Sequence, residues 1–139
     1  MKLLLDFIKG VIVIFLAFIV VLLVNLPHDI IINSITEGSA KKHVPIGTQA
    51  ELISIVIVFL AGFFACMLVC ALAGTQRKIL LIVLVCLFLF ADLFSVFTDL
   101  VHTSLFYRIA IVAIVPLEIW AGCGVVKKRK YIMATTLII

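Results

Sequence analysis

Charged residues are scarce in this sequence. Only 13% of its 139 residues are Asp, Glu, Lys or Arg, whereas 66% are hydrophobic. Soluble domains usually have about 25% charged and about 45–50% apolar residues. A chain of this length cannot bury so much apolar surface in water, which excludes a water-soluble fold. The net charge of +4 does not indicate nucleic acid as a partner, because the basic residues lie beside apolar runs and favour a membrane surface.

Motifs for catalysis or cofactor binding are also absent. The sequence contains no nucleophile–base set, phosphate-binding loop or metal-ligand motif. All the cysteines lie within apolar runs: Cys66, Cys70, Cys86 and Cys123. They include no C-x-x-C pair, so we expect buried apolar thiols rather than redox centres or zinc ligands. His28 and His43 lack a third ligand at a suitable spacing, which favours solvated loop histidines. We therefore predict no enzyme activity, no cofactor and no metal.

Long apolar runs are what the sequence has instead. Four of them reach the roughly 20 residues that a membrane-spanning helix needs, over about 7–26, 52–73, 79–101 and 105–126. They lack the alternation of barrel strands, so we predict an all-α membrane protein, a single domain built as a bundle of four transmembrane helices. No small-x-small cleavage site follows the first run, which favours a retained helix over a signal peptide.

Basic residues predict the orientation of this bundle. They occur near the N-terminus, in the loop at 77–78 and as KKRK at the start of the tail 127–139, three places that share one side of a four-span protein. On the other side, acidic residues offset Lys41 and Lys42 in the loop 27–48. We therefore expect both termini in the cytoplasm, in a bacterial inner (plasma) membrane. The stretch HDIIINSI after Pro27 either lies along the outer interface or prolongs the first helix.

Two local patterns concern the second helix. TQAE, from Thr48 to Glu51, matches a capping box, in which the Thr hydroxyl and the Glu carboxylate accept N–H groups at the start of their own helix. Further on, small residues recur at every fourth position: Gly62, Cys66, Cys70 and Gly74. Such a stripe lets two helices approach closely. It either packs inside the bundle or receives another protein.

The third and fourth runs contain charged residues where charge in lipid is unfavourable. A polar stripe covers roughly an 80° arc of the third helix: Asp92, Ser95, Asp99 and His102. Such residues are expected to face the bundle interior or a wet cavity rather than lipid. Antiparallel helices joined near residues 103–104 place Asp99 level with Arg108, which predicts an ion pair that fastens the two helices together.

Glu118 is the acidic residue of the fourth run. At about 1.5 Å per residue, its height differs from that of Asp92 by only about 5 Å, so both could face one internal site. Pro116 cannot donate to the carbonyl of Val112, which leaves a free acceptor nearby. Once Arg108 is paired with Asp99, no basic residue within the spans remains for Asp92 or Glu118. Their carboxyl groups must be protonated, hold a cation, reach water or meet a basic partner.

Two classes of function fit these observations. We expect a small polytopic membrane protein that acts without catalysis, by binding another membrane protein through its small-residue stripe and its unpaired carboxyl groups. The alternative is a small proton- or cation-coupled transporter that uses Asp92 and Glu118 and forms a homodimer to enclose a pathway. The expected partners are the lipid bilayer and a membrane protein or second copy of the chain.

Overall fold

Four long helices account for most of the described chain. The computed structural model describes residues 2–35, 47–98 and 103–136. Its helices are α1 (Lys2–Ile35), α2 (Thr48–Leu72), α3 (Arg77–Thr98) and α4 (Leu105–Thr136), with a single 3-10 turn over Gly74–Gln76 between α2 and α3. All four helices are long and apolar enough to cross a membrane. The prediction of an all-α chain with four such helices is confirmed.

Two helices extend further than the sequence predicted. α1 passes through Pro27 and ends at Ile35, so residues 27–35 are not part of a loop and HDIIINSI prolongs the first helix. Ile32 in this extension is buried, a packing contact that supports helix beyond the proline. α4 likewise continues from the predicted end at 126 to Thr136, because Lys and Arg, which follow the apolar run, are good helix formers.

α2 is the central helix and α3 is the peripheral one. Nine of the 25 residues of α2 are buried, whereas α3 buries two of its 22 residues, Leu80 and Leu84. α2 packs extensively against both α1 and α4, while α3 contacts the other helices much less. The main apolar core contains several small side chains, which allow close helix approach: Val13, Ala17, Ala65, Cys66, Val69, Leu80 and Leu84.

The helices define two ends of the bundle. At one end, Lys9 of α1 lies beside the turn between α2 and α3; we call this the basic end. At the opposite end, α1, α2 and α4 are joined by hydrogen bonds. Gly74 belongs to the basic-end turn, where its φ of +53° favours glycine. The prediction that Gly74 continues the small-residue stripe of α2 is therefore wrong, because α2 ends at Leu72.

The cysteines also differ from expectation. A disulfide joins Cys70 of α2 to Cys123 of α4, with their Cα atoms 5.7 Å apart, within the usual range for a disulfide. Cys66 is a buried free thiol, whereas Cys86 is free and exposed on α3. The prediction of buried free thiols is therefore wrong for three of these residues. The two bridged cysteines are 53 residues apart, and only the pairing of α2 with α4 brings them together.

Candidate functional site

A cavity of about 220 Å³ lies among the four helices and contains the two unassigned carboxyl groups. Asp92 of α3 and Glu118 of α4 line it, and Asn25 of α1 adds a carboxamide. Glycine at position 62 of α2 forms part of the wall. The rest of the lining is apolar: Phe18, Val21, Val58, Ala61, Phe88 and Ala91. We call this the acidic cavity.

Glu118 is positioned by the packing of α2 against α4. Its side chain is only 2% exposed, and its carboxyl group occupies the space that a methyl group on Gly62 would fill. One turn further along α4, a Cβ on Gly122 would lie 2.8 Å from the carbonyl oxygen of Phe63 and 3.0 Å from the Cβ of Cys66. Gly62, Cys66 and the bridged Cys70 therefore all face α4, and Gly62 additionally makes room for the acid.

The acidic side chains of the cavity are not balanced by basic ones among its described lining residues. No Lys or Arg of the described residues lines the cavity. Within that part of the chain, neither Asp92 nor Glu118 forms a hydrogen bond or an ion pair. Two carboxyl groups in a largely apolar cavity cannot both remain ionised without a counter-charge or water, because isolated charge is strongly disfavoured there. The cavity thus has unused capacity for hydrogen bonding and for charge pairing.

A second polar cluster joins three helices at the opposite end. The Ser54 hydroxyl lies 2.8 Å from Nε2 of His28 and 2.6 Å from the hydroxyl of Tyr107. Ser54 and Tyr107 are buried, and His28 is half-buried. The prediction of a solvated loop histidine is wrong for His28, because the extension of α1 carries it against α2. His43 lies outside the described residues. We call His28, Ser54 and Tyr107 the opposite-end network.

Glu51 caps a helix other than its own. Its Oε1 accepts a hydrogen bond from the backbone N–H of Ser104 at 2.8 Å, and its Oε2 accepts one from the Ser104 hydroxyl at 2.5 Å. The Ser104 hydroxyl oxygen in turn accepts from the N–H of Tyr107 at 3.1 Å, the geometry of an N-cap on α4. The predicted TQAE capping box is wrong: α2 begins after Gly47 without a side-chain cap, and the free N–H groups of α4 compete successfully for the carboxylate.

Ser95 and Arg108, also predicted for the intramembrane polar cluster, are not among the described lining residues of the acidic cavity. Ser95 is half-buried on α3. Arg108 donates from Nη2 to the carbonyl of Thr103 at 3.1 Å, and its buried Nε has no hydrogen-bond partner in the described part of the chain. Asp99 and His102 lie outside the described residues, so the Asp99–Arg108 pair stays a prediction.

Sequence reasoning missed several members of both clusters. Asn25, Ser54 and Tyr107 are uncharged polar residues within the predicted spans, and this polarity within a span was their only signal. No spacing connects residues on different helices. In the ranges 2–35, 47–98 and 103–136, no group of three or more His, Cys, Asp or Glu is arranged to hold a metal ion.

Comparison with known proteins gives no relative from which a role could be transferred. No family model, curated protein or solved structure matches this chain.

Proposed function

We propose that the chain is an integral membrane protein that acts without catalysis, by binding another membrane protein at the acidic cavity. The observation that carries this proposal is that Asp92 and Glu118 line one cavity with no Lys or Arg among its described lining residues. A partner helix with a Lys or Arg at the same depth would supply the missing charge. In a water-poor site, such a pair also selects the correct partner, because mismatched charges are strongly unfavourable.

The surface of α3 supports docking at this place. Asp92 lies on the helix that the chain itself buries least, and the neighbouring Ala91 is exposed while also lining the cavity. Large apolar side chains project from the same helix: Ile82, Phe90, Leu93, Phe94 and Phe97. In lipid, helices associate through close packing and polar contacts rather than through the hydrophobic effect. The small side chain of Ala91 at the edge of the cavity allows a partner helix to approach closely, and the acidic cavity offers the polar contact.

A transporter is the second candidate, and the opposite-end network favours it. Asn25 lies three residues before His28 on α1, and Ser54 lies four residues before the cavity residue Val58 on α2. Polar groups thus approach the acidic cavity from the opposite end. A carrier needs access from both sides in turn. Toward the basic end, however, the described residues between α1 and α2 form the apolar core, and this asymmetry makes docking the better-supported proposal.

We further propose that both termini are cytoplasmic and that the membrane is a bacterial inner (plasma) membrane. The clustering of Lys and Arg at the basic end and in the tail supports the orientation. The helical rather than barrel-like architecture supports an inner membrane.

Site-specific photo-crosslinking tests the docking proposal. A photoreactive amino acid at Ala91, beside the cavity, should give a discrete crosslinked product with a different membrane protein in native membranes. The same group at Val56, which is exposed on α2, serves as the control and should give none. Asp92→Asn or Glu118→Gln should abolish the product, because each removes a carboxylate while keeping the shape. Asp6→Asn, at the basic end, should not.

Two outcomes would overturn the proposal. Absence of a discrete product at Ala91 would show that nothing docks there. Retention of the product in both acid variants, together with loss of pH-gradient-driven flux in reconstituted vesicles, would favour transport. A product containing two copies of this chain would also favour transport, because a homodimer is the form expected to enclose a pathway.

A further inference from the structure

Two adjoining cavities lie between α1 and α3 at the basic end. Nearly all of their lining residues differ from those of the acidic cavity. The larger one, about 630 Å³, is mainly apolar and is lined in part by Phe7, Val11, Ile14, Phe15, Ile79 and Val83. The smaller one, about 190 Å³, is lined by Lys9, Thr75 and the end of α2. Both share Asp6, Gly10, Gln76 and Leu80. We call them the apolar groove and the polar pocket.

Gly10 forms the floor where the two cavities meet. A Cβ at this position would lie 3.2 Å from Oε1 of Gln76 and 3.2 Å from a methyl carbon of Leu80. α1 therefore comes close to the start of α3 at Gly10. The two cavities open on either side of this contact, so the groove and the pocket form one site with an apolar part and a polar part.

The length of the apolar groove matches one leaflet of a bilayer. It extends along α1 from Phe7 to Phe18, roughly 17 Å at 1.5 Å per residue. The hydrocarbon core of a bilayer is about 30 Å thick, so the groove reaches from the membrane surface to near the midplane. Its volume is also within the roughly 300–1,000 Å³ that is typical of ligand sites. An acyl chain of one leaflet fits both dimensions.

The polar pocket offers groups of both charges. Lys9 provides an ammonium group and Asp6 a carboxylate, and in the described part of the chain neither forms an ion pair or a hydrogen bond. Leu72 and Ala73, at the C-terminal end of α2, line the pocket, and helix C-termini favour cations. A ligand with both an anionic and a cationic group would satisfy Lys9 on one side and Asp6 with the end of α2 on the other.

We propose that the groove and the pocket bind one phospholipid with a zwitterionic head group that carries a primary ammonium. One of the two acyl chains lies in the apolar groove and the other stays in the surrounding lipid, the phosphate pairs with Lys9, and the ammonium pairs with Asp6. The lipid leaves the acidic cavity open, because the described linings of the groove and of the acidic cavity have a single residue in common, Phe18. This assignment does not depend on the proposed docking of a partner protein.

Native mass spectrometry of the full chain in mild detergent tests the site. Phosphatidylethanolamine should give a single saturable adduct, and phosphatidylglycerol with the same acyl chains should bind at least about tenfold more weakly, as expected for loss of one charge-assisted contact. Lys9→Gln should weaken phosphatidylethanolamine binding by a similar factor. Asp6→Asn should remove the preference between the two lipids. Lys78→Gln is the matched control, because Lys78 is exposed at the same end and lines neither cavity.

The site is rejected if wild-type protein retains both lipids equally or accumulates several adducts without saturation. Either result would mean that the protein binds lipid without a specific site. It is also rejected if Lys78→Gln weakens binding as much as Lys9→Gln. The wild-type preference decides the question even where a variant does not fold. Asp92→Asn should keep lipid binding while losing the crosslinked partner, so failure of one proposal is distinguishable from failure of the other.

Discussion

The carboxyl group of Glu118 lies over the backbone of Gly62, at a point where α2 has no side chain. Because no hydrogen bond from the described residues fixes this carboxyl group, its position depends on shape. A glycine in α2 and an acid in α4 thus form one wall of the acidic cavity together. This dependence distinguishes Gly62 from a glycine that merely allows two helices to approach.

Gly62→Ala should displace Glu118 and destabilise the protein. Overpacking of a tight contact usually costs roughly 1–3 kcal/mol, and we expect a loss of this size in the free energy of unfolding measured in detergent. The crosslinked product at Ala91 should weaken as well. Gly124→Ala is the control, since a Cβ there meets nothing within 4 Å and better helix propensity should stabilise α4 by up to about 1 kcal/mol. Equal stability of Gly62→Ala and wild type would contradict the placement of Glu118.

Glu51 and Ser104 should be energetically coupled. Ser104→Ala removes the N-cap of α4 and should cost about 0.5–2 kcal/mol. Glu51→Gln should also destabilise, because a carboxylate at a helix N-terminus is favourable. In a double-mutant cycle the combined loss should be smaller than the sum, since each single change already breaks the shared bond. Ser34→Ala is the control, because Ser34 is exposed and, among the described residues, its hydroxyl bonds to a carbonyl one turn earlier. Strict additivity of Glu51→Gln and Ser104→Ala would show that the Glu51 carboxylate and the Ser104 hydroxyl do not interact.

The number and type of the helices were predictable because long apolar runs determine them locally. The hydrogen-bond partners and burial of single polar residues were not predictable. Glu51 fits a local capping box equally well, and only the arrival of the α4 N-terminus beside α2 redirects its carboxylate. His28 was predicted to be solvated because Pro27 suggested a helix end, but the chain continues as helix through the proline. Helix rise alone predicts that Asp92 and Glu118 lie at similar heights, whereas the roles of Asn25 and Gly62 depend on helix rotation.

The Cys70–Cys123 disulfide should be detectable by mass. Alkylation of denatured, unreduced protein should add at most two labels, on Cys66 and Cys86, and prior reduction should raise the number to four. Cys70→Ser and Cys123→Ser should each free one further thiol and lower the free energy of unfolding by roughly 2–4 kcal/mol, the usual contribution of a disulfide. Labelling of four thiols without reduction would show that the bridge is absent from the purified protein.

Topology reporters should read the basic end as cytoplasmic. A reporter fused after Lys130 should be active in the cytoplasm, and one inserted near Ser39 should be active outside, because Lys and Arg are retained on the cytoplasmic side. This orientation places the disulfide toward a reducing compartment, where disulfides are rare. Cys70 is only 2% exposed, which shields the bridge from soluble thiols. An external signal after Lys130 would overturn the orientation and would remove the conflict with the disulfide.

Arg108 is expected to pair with Asp99. Its Nε is buried without a hydrogen-bond partner among the described residues. Asp99 lies outside those residues, and helix rise on either side of residues 103–104 predicts a similar height for it. Asp99→Asn and Arg108→Gln should each lower stability, because each leaves one charge without its partner. The double variant should lose less than the sum, with a coupling of roughly 0.5–3 kcal/mol.

The same cycle with Glu51→Gln in place of Asp99→Asn is the control, since Glu51 already bonds to Ser104. Coupling of Arg108 to Glu51 but not to Asp99 would assign the guanidinium to the α4 cap and reject the predicted pair.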